Sequence, residues 1–261
     1  MYLRRIKCPS QIQIFMIELH PLINLGTFPI FNLLVAIGLI CSIILYYYNS
    51  HNIDDRNYKK EDIIIYLGLS FLVGIFFSNI GNWYIFPEYT NLPLFQKIKH
   101  AGYTFYFGLI GFIVSILILM KLAGYAYNIY LNEIVPSITM FHLFGRIGCL
   151  LGGCCYGNLC DFSIMSFHIH RFPVREFEIL YLLILTILFQ TILKKNRLII
   201  YLLFYSLFRF FIEFKRGDAR GHLFSNILSP SQEISLIIIV FLLIYLIFKI
   251  IFLKPNTLKA T

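Results

Sequence analysis

Apolar segments of about 20 residues dominate this chain, and short polar stretches separate them. A helix needs about 20 apolar residues to cross the hydrocarbon core of a bilayer. Hydrophobic residues make up 59% of the sequence and charged residues only 13%, whereas about a quarter of the residues in a soluble domain are charged. The sequence therefore predicts an all-α, polytopic membrane protein with about seven transmembrane helices around a central polar, lipid-binding cavity. The predicted spans are 28–48, 63–81, 101–122, 129–153, 174–193, 198–214 and 233–253.

The loops between these spans are too short to hold a separate soluble domain. We expect one membrane domain over residues 28–253, preceded by an interfacial segment at 1–27 and followed by a short polar tail at 254–261. Two prolines together with Trp83 and Tyr84 between Asn82 and Lys99 suggest a re-entrant or interfacial loop, since such residues suit the headgroup level.

The positive charge of the chain points to lipid as its partner. The formal net charge is +9, but the lysines and arginines are spread over the loops on both sides and form no basic run with interleaved aromatic residues. We therefore expect anionic lipid headgroups as partners and no nucleic acid. The same even spread leaves the orientation of the chain undetermined by charge.

The most polar span contains the sequence HLFGRIGCLLGGCCYG at 142–157. Arg146 must face the interior of the bundle, because an arginine at membrane depth needs a partner. His142 lies one helical turn earlier and is expected either to act as a general base or to donate a hydrogen bond inside the bundle. The small residues of this span recur every four positions in two ridges, which predicts close helix packing. The ridges are Gly145, Cys149 and Gly153, and Gly148 and Gly152.

Arginines near the end of the sixth span suggest an anionic ligand. Arg209 and Glu213 stand at i and i+4 and could pair on one helical face. Arg146, Arg209 and Arg216 nevertheless outnumber the obvious carboxylates Glu213 and Asp218, so the surplus positive charge predicts a bound phosphate. Glu176, Glu178 and Gln232, near span ends, are expected to be solvated or to cap helices.

Four of the six cysteines lie between residues 149 and 160, with two histidines following. The cysteines are Cys149, Cys154, Cys155 and Cys160, and the histidines are His168 and His170. There is no second C-x2-C pair of the kind that zinc sites use. We therefore predict small packing residues, with no metal site and no cofactor.

Six short blocks occur in one order over about residues 25–240: LLVAIGL, TFYFGLIG, FGRIGCLLGGCCYG, FPVREFEILY, LFRFFIEFKRGDARG and LSPSQEISL. Together they resemble the prolipoprotein diacylglyceryl transferases of bacteria. The resemblance implies a multi-pass protein of the cytoplasmic membrane with its N-terminus outside. It also implies transfer of the diacylglyceryl group of phosphatidylglycerol to the lipobox cysteine of a prolipoprotein signal peptide, which forms a thioether and releases glycerol phosphate.

The resemblance also implies roles for particular residues. Arg146 and Arg209 match the substrate-binding arginines of the family, Glu213 its sixth-span glutamate and Gly157 the glycine that closes its signature. The predicted headgroup site consists of these two arginines, Gly157 and Arg216. Arg216 is included because of the surplus of positive charge. The predicted catalytic residues are Tyr106, His142, Glu213 and Cys154.

Four positions depart from the family pattern. Tyr106 stands where a histidine is usual, Cys149 in place of Asn, Cys154 in place of Glu and Phe31 in place of Tyr. A phenol with a pKa of about 10 is a poorer base for a thiol than an imidazole at about 6.5. Two alternatives follow: a lipid acyltransferase with Cys154 or Cys155 as a nucleophile made more reactive by Arg146, or a non-catalytic phospholipid-binding membrane protein.

Overall fold

The computed structural model describes residues 30–50, 60–86, 92–93, 102–125, 127–164, 167–218 and 220–252. Within these residues the chain forms seven α-helices and one antiparallel β-hairpin. The helices are α1 Ile30–Asn49, α2 Lys60–Ile85, α3 Phe105–Leu122, α4 Tyr127–Leu151, α5 Val174–Thr191, α6 Arg197–Ile212 and α7 Pro230–Phe252. The strands are β1 Leu159–Ile164 and β2 Phe167–Arg171, and a 3-10 turn, Glu213–Lys215, follows α6.

The helices fall at the seven positions that the apolar segments predict, and the all-α, polytopic membrane class is confirmed. Five of them are long and apolar enough to cross a membrane: α1, α2, α3, α4 and α7. Their surfaces expose large apolar side chains such as Ile44, Leu72 and Phe241, as expected for contact with lipid. The other two are shorter or more charged, since α6 has 16 residues and α5 carries three charged residues in its first turns.

The structure extends α2 past its predicted end at Gly81. The helix runs to Ile85, and the amide of Phe86 still donates a helical hydrogen bond of 3.1 Å to the carbonyl of Asn82. The amide of His222 donates to the carbonyl of Ile85 at 3.2 Å, which satisfies one acceptor at the helix end. The rest of the predicted loop, apart from residues 92–93, and the segments 1–27 and 254–261 lie outside the described residues.

The hairpin of β1 and β2 occupies a stretch that the sequence indicated only as polar. Its strands pair antiparallel, with Ser163 opposite His168 and Ile164 opposite Phe167. Residues 167–170 alternate apolar and polar side chains, the period of a strand. This alternation was the available signal for the hairpin.

The chain forms two compact units. The first contains α1 to Tyr46, α4 from Pro136, the hairpin, α5 to Gln190 and the segment Arg216–Asp218. In it, a Cβ atom added to Gly148 would lie 2.9 Å from the ring of Phe31 on α1, so close packing is confirmed at this glycine. At Gly145 an added Cβ would meet no described atom within 4 Å. The packing prediction is wrong there.

The second unit contains α2, α3, the start of α4 to Val135, α6 and α7. Its helices α2 and α3 approach closely at Gly108, where an added Cβ would lie 3.2 Å from the Cβ of Ser78. Ser78 and Thr104 exchange hydrogen bonds between their hydroxyls and backbone carbonyls, of 3.0 and 2.7 Å. Small side chains thus let the two backbones come together.

Candidate functional site

Arg146 lies in the first unit, where one of its nitrogens contacts both a carboxylate and an imidazole. Its Nε is 3.0 Å from Oε1 of Glu178 on α5 and donates to Nε2 of His142 at 3.4 Å. The three side chains are buried, with Glu178 fully inaccessible. Because His142 Nε2 accepts this hydrogen bond, the contact assigns the proton of a neutral ring to Nδ1. His142 thus makes a hydrogen bond between buried side chains, but as the acceptor, and the predicted donation by His142 stays a prediction.

The structure contradicts the expectation that Glu178 is solvated or caps a helix. Glu178 belongs to the buried stripe of α5, four residues after Val174 and four before Leu182. A helix places positions four apart on one face, so this carboxylate points the same way as the apolar core residues. The neighbouring Glu176 is instead exposed, as predicted.

The predicted capping role of Gln232 is confirmed. Its Oε1 accepts a hydrogen bond from the amide of Ser229 at 3.0 Å, while the amide of Gln232 donates to the Ser229 hydroxyl at 3.3 Å. This reciprocal pair is a capping box at the start of α7.

The sequence predicted a bound phosphate because the arginines outnumber the obvious carboxylates. The structure shows that this count of partners is wrong. Arg209 Nη2 lies 2.8 Å from Oε2 of Glu213, which is the expected i, i+4 pair. Arg216 donates two hydrogen bonds to Asp218, of 2.9 and 2.7 Å. Since Arg146 has Glu178, each of the three arginines has a carboxylate partner.

A cluster in the second unit nevertheless keeps an excess of positive charge. Glu213 Oε1 accepts hydrogen bonds from Arg220 Nε at 2.6 Å and from the Ser229 hydroxyl at 3.0 Å. Arg220 Nη2 also donates to the hydroxyl of Ser231 at 3.0 Å. Two guanidinium groups, those of Arg209 and Arg220, thus share one buried carboxylate, and the three side chains together carry a formal charge of +1.

Tyr106 is buried in the second unit. Its hydroxyl lies 2.6 Å from the hydroxyl of Ser235 on α7, and its ring centroid lies 5.9 Å from that of Tyr205. An apolar cavity of about 180 Å³ adjoins Tyr106. Its lining residues are Tyr106, Leu109, Ile110, Ile113, Val114, Leu202 and Ile238. The phenol of Tyr106 is therefore a polar group at the edge of apolar surroundings.

The helix α4 ends in a turn that brings its cysteines together. Gly153 has a positive φ of 70°, and its amide donates to the carbonyl of Leu150 at 3.3 Å. The amide of Cys154 donates to the carbonyl of Cys149 at 3.2 Å. These two bonds form a Schellman motif, which glycine favours because it has no Cβ. The motif folds Cys154 back toward Cys149.

Three thiols converge at this turn. The Sγ atoms of Cys149, Cys154 and Cys155 all lie within 4.8 Å of one another. Cys154 is exposed and the other two are partly exposed. Cys155 itself has a positive φ of 60°, an uncommon conformation for a residue other than glycine. The side chains of Cys160, His168 and His170 lie outside the described residues.

The thiols after the helix end differ in acidity. Hydrogen bonds from Cys149 and Cys154, aided by the charges of Arg216 and Arg146, hold the pKa of Cys155 well below its ordinary value. A hydrogen bond with Cys149 lowers the pKa of Cys154, but its contact with Cys155, burial and the Cys155 charge together raise that pKa to about 11. The predicted activation of Cys154 by Arg146 is thus outweighed, and Cys155 is the more acidic thiol.

Gly157 closes the signature in a crowded backbone crossing. It forms an antiparallel bridge with Arg216, and a Cβ atom at this position would collide with the carbonyl oxygen of Phe172. Arg171 Nη1 donates to the Gly157 carbonyl at 3.3 Å. The structure therefore requires glycine here for packing, and the predicted contact of Gly157 with substrate stays a prediction.

Comparison with known proteins agrees with the resemblance that the sequence blocks indicated. The family model of the prolipoprotein diacylglyceryl transferases matches residues 21–248. The chain is 29% identical over 229 residues to the phosphatidylglycerol–prolipoprotein diacylglyceryl transferase of Clostridium tetani (strain Massachusetts / E88), covering 79% of this chain and 87% of that protein. It is 27% identical over 228 residues to the phosphatidylglycerol–prolipoprotein diacylglyceryl transferase 2 of Clostridium perfringens (strain 13 / Type A), covering 80% and 86%. The chain belongs to the prolipoprotein diacylglyceryl transferase family.

Proposed function

We propose that this protein transfers the diacylglyceryl group of phosphatidylglycerol to the lipobox cysteine of prolipoproteins at the bacterial cytoplasmic membrane, the first step of lipoprotein maturation. The observation that carries this proposal is the family match over residues 21–248, which includes the buried Arg146 and its signature. The helices long and apolar enough to span a membrane suit a lipid donor.

The reaction defines what the site must bind. The cysteine sulfur forms a bond to the terminal glyceryl carbon of the lipid, the carbon–oxygen bond to phosphate breaks, and glycerol phosphate leaves with the electron pair. Negative charge therefore grows on a phosphate group as the bond breaks. Guanidinium groups stabilise such charge well, because they donate two parallel hydrogen bonds to phosphate oxygens.

We assign Arg146 to the phosphate and Glu178 to positioning Arg146. The 3.0 Å contact at Nε holds the guanidinium, and the same N–H is shared at 3.4 Å with Nε2 of His142. In this proposal Glu178 acts through Arg146 and touches no substrate.

In the second unit we assign Arg209 and Arg220 to an anionic group and Glu213 to holding both arginines. Glu213 was predicted to assist proton transfer, but its two oxygens contact two guanidinium groups and a hydroxyl. Those contacts engage both carboxylate oxygens, so an incoming proton would have to displace one of them. A positioning role fits them better.

The thiol proton has two candidate acceptors among the predicted catalytic residues. Tyr106 already shares a 2.6 Å hydrogen bond with Ser235, and a phenol is weakly basic. His142 holds its hydrogen bond from Arg146 at 3.4 Å, which is long, and a neutral imidazole accepts protons readily near neutral pH. We therefore propose His142 as the better base of the two.

Complementation tests this function. A bacterial strain depleted of its own transferase is given this gene or its Arg146→Ala variant, and the mobility and mass of a reporter lipoprotein are measured. The proposal predicts diacylglyceryl-modified reporter with the wild-type gene and unmodified precursor with the variant. Unmodified precursor in the presence of well-expressed wild-type protein would contradict it.

A further inference from the structure

The three converging thiols have the spacing of a metal-binding group. Zinc binds thiolates at about 2.3 Å in tetrahedral geometry, which places two sulfurs about 3.8 Å apart. The Sγ atoms of Cys149, Cys154 and Cys155 lie within 4.8 Å of one another, so shortening each sulfur–sulfur distance by about an ångström at most would seat an ion. The expectation that these cysteines only fill space does not account for this convergence.

Backbone structure holds the group in place. Cys149 and Cys154 are joined by the hydrogen bond between their own backbones in the Schellman motif. Cys155 is directed to the same point by its left-handed conformation, at φ 60°. Non-glycine residues adopt such conformations at a cost of about 1–3 kcal/mol, and they are concentrated at functional sites.

The surrounding charges suit an anionic metal complex. Three thiolates and one Zn²⁺ carry a formal net charge of −1, the sum of −3 and +2. Arg146 and Arg216 both act electrostatically on Cys155, and Arg175 donates a hydrogen bond to the Cys154 carbonyl at 3.3 Å. Three cationic side chains thus lie near the cysteines.

We propose that Cys149, Cys154 and Cys155 bind one zinc ion and leave its fourth coordination position open. Among the described side chains no histidine, aspartate or glutamate joins the three sulfurs. Cys154 is exposed, so a further ligand can reach the ion. Three protein ligands with one open position are the arrangement of catalytic zinc, whereas structural zinc has four.

The fourth ligand that fits best is the lipobox thiol, and this part rests on the proposed function. A thiol that binds zinc loses its proton, which passes to water or to a base. The resulting sulfur attacks the glyceryl carbon, a carbon–sulfur bond forms, the carbon–oxygen bond breaks and glycerol phosphate leaves. Such a site supplies a thiolate nucleophile without a strong base. This matters in a chain that has Tyr106, a weaker base, where its family usually has a histidine.

Metal content tests the site independently of activity. Protein purified in detergent without chelator is analysed for zinc and copper by mass spectrometry, and its free thiols are titrated. We expect about one zinc per chain, lost in Cys154→Ser and in Cys155→Ser and retained in the control Cys41→Ser, whose thiol lies on α1. Copper in place of zinc, a disulfide among the three cysteines, or three free thiols without metal would overturn the proposal.

Two further variants and a spectrum test the open position. Cys160→Ser is expected to keep its zinc, and loss of zinc there would indicate a closed site with four thiolates, contrary to the proposal. In cobalt-substituted protein, the visible d–d bands should shift when a lipobox peptide is added and stay unchanged with the same peptide carrying Cys→Ser. An unchanged spectrum with the cysteine peptide would overturn the open position.

The outcomes also separate this inference from the proposed function. Zinc binding and a peptide-induced shift in a protein that fails complementation would leave the site standing and remove the transferase assignment. Full complementation by Cys154→Ser and Cys155→Ser, with no zinc in the wild type, would leave the transferase standing and remove the site.

Discussion

The guanidinium of Arg146 and the carboxylate of Glu178 form a buried ion pair, with Nε 3.0 Å from Oε1. Removing one partner of such a pair leaves an uncompensated buried charge, which costs about 3–5 kcal/mol in soluble proteins. The pair therefore couples the stability of the first unit to the orientation of the arginine that we assign to phosphate.

Glu178→Gln should lower both stability and transfer rate. We expect thermal unfolding in detergent to shift by an amount equivalent to about 3 kcal/mol, and the transfer rate to fall at least tenfold because Arg146 loses its orientation. The matched control is Glu176→Gln, since Glu176 is exposed on the same helix and surface changes stay within about 0.5 kcal/mol. Equal behaviour of the two variants would show that burial of Glu178 has no functional consequence.

Arg209→Lys should reduce binding of phosphatidylglycerol by about tenfold, because lysine keeps the charge but cannot make the paired hydrogen bonds of a guanidinium. Binding is measured with labelled lipid in detergent micelles. Lys195→Ala, at an exposed position, measures how much positive surface charge alone contributes to binding of the anionic lipid. Wild-type affinity in Arg209→Lys would remove Arg209 from the proposed headgroup contacts.

Two glycines on α4 should respond oppositely to alanine. Gly148→Ala places a Cβ 2.9 Å from the ring of Phe31, and we expect a loss of about 1–3 kcal/mol from overpacking. Gly145→Ala meets no described atom within 4 Å and should be neutral or stabilising by up to about 1 kcal/mol, since alanine favours helix. Thermal unfolding of both variants checks this order, and a reversed order would contradict the packing of α4 on α1.

Alkylation should distinguish the two cysteines that follow α4. In metal-free protein, Cys155 is expected to react with iodoacetamide from mildly acidic pH upward, because its pKa is lowered by its neighbours. Cys154, whose pKa is raised to about 11, should react appreciably only in strongly alkaline buffer. Peptide mapping by mass spectrometry reads both sites, and equal labelling near pH 8.5 would contradict the assigned difference.

The sequence predicted the helices well because a bilayer constrains them strongly. Spans of about 20 apolar residues have few alternatives to a helix in hydrocarbon, and all seven helices occur where expected. The ends were less predictable. Helix α2 runs through Asn82, Trp83 and Tyr84 to Ile85, and their polarity suggested a loop although backbone bonding continues.

The candidate site was predicted only in part, and two of its features were missed for different reasons. Arg146 and His142 stood out because polar residues are rare in a span, whereas Glu178 lay near a predicted helix start, where carboxylates are usually solvated. Its spacing of four from Val174 and Leu182 was the signal for burial. The convergence of Cys149 with Cys154 was hidden because positions five apart face different sides of a helix, and only the turn at Gly153 joins them.

Direct transfer in a purified system tests the central claim most sharply. The protein is reconstituted in vesicles of phosphatidylglycerol labelled in its headgroup, a lipobox peptide is added, and peptide mass and released glycerol phosphate are measured together. Our account predicts a diacylglyceryl thioether on the cysteine, one glycerol phosphate released for each modified peptide, and neither product with Arg146→Ala. Intact phosphatidylglycerol and unmodified peptide with folded wild-type protein would contradict it.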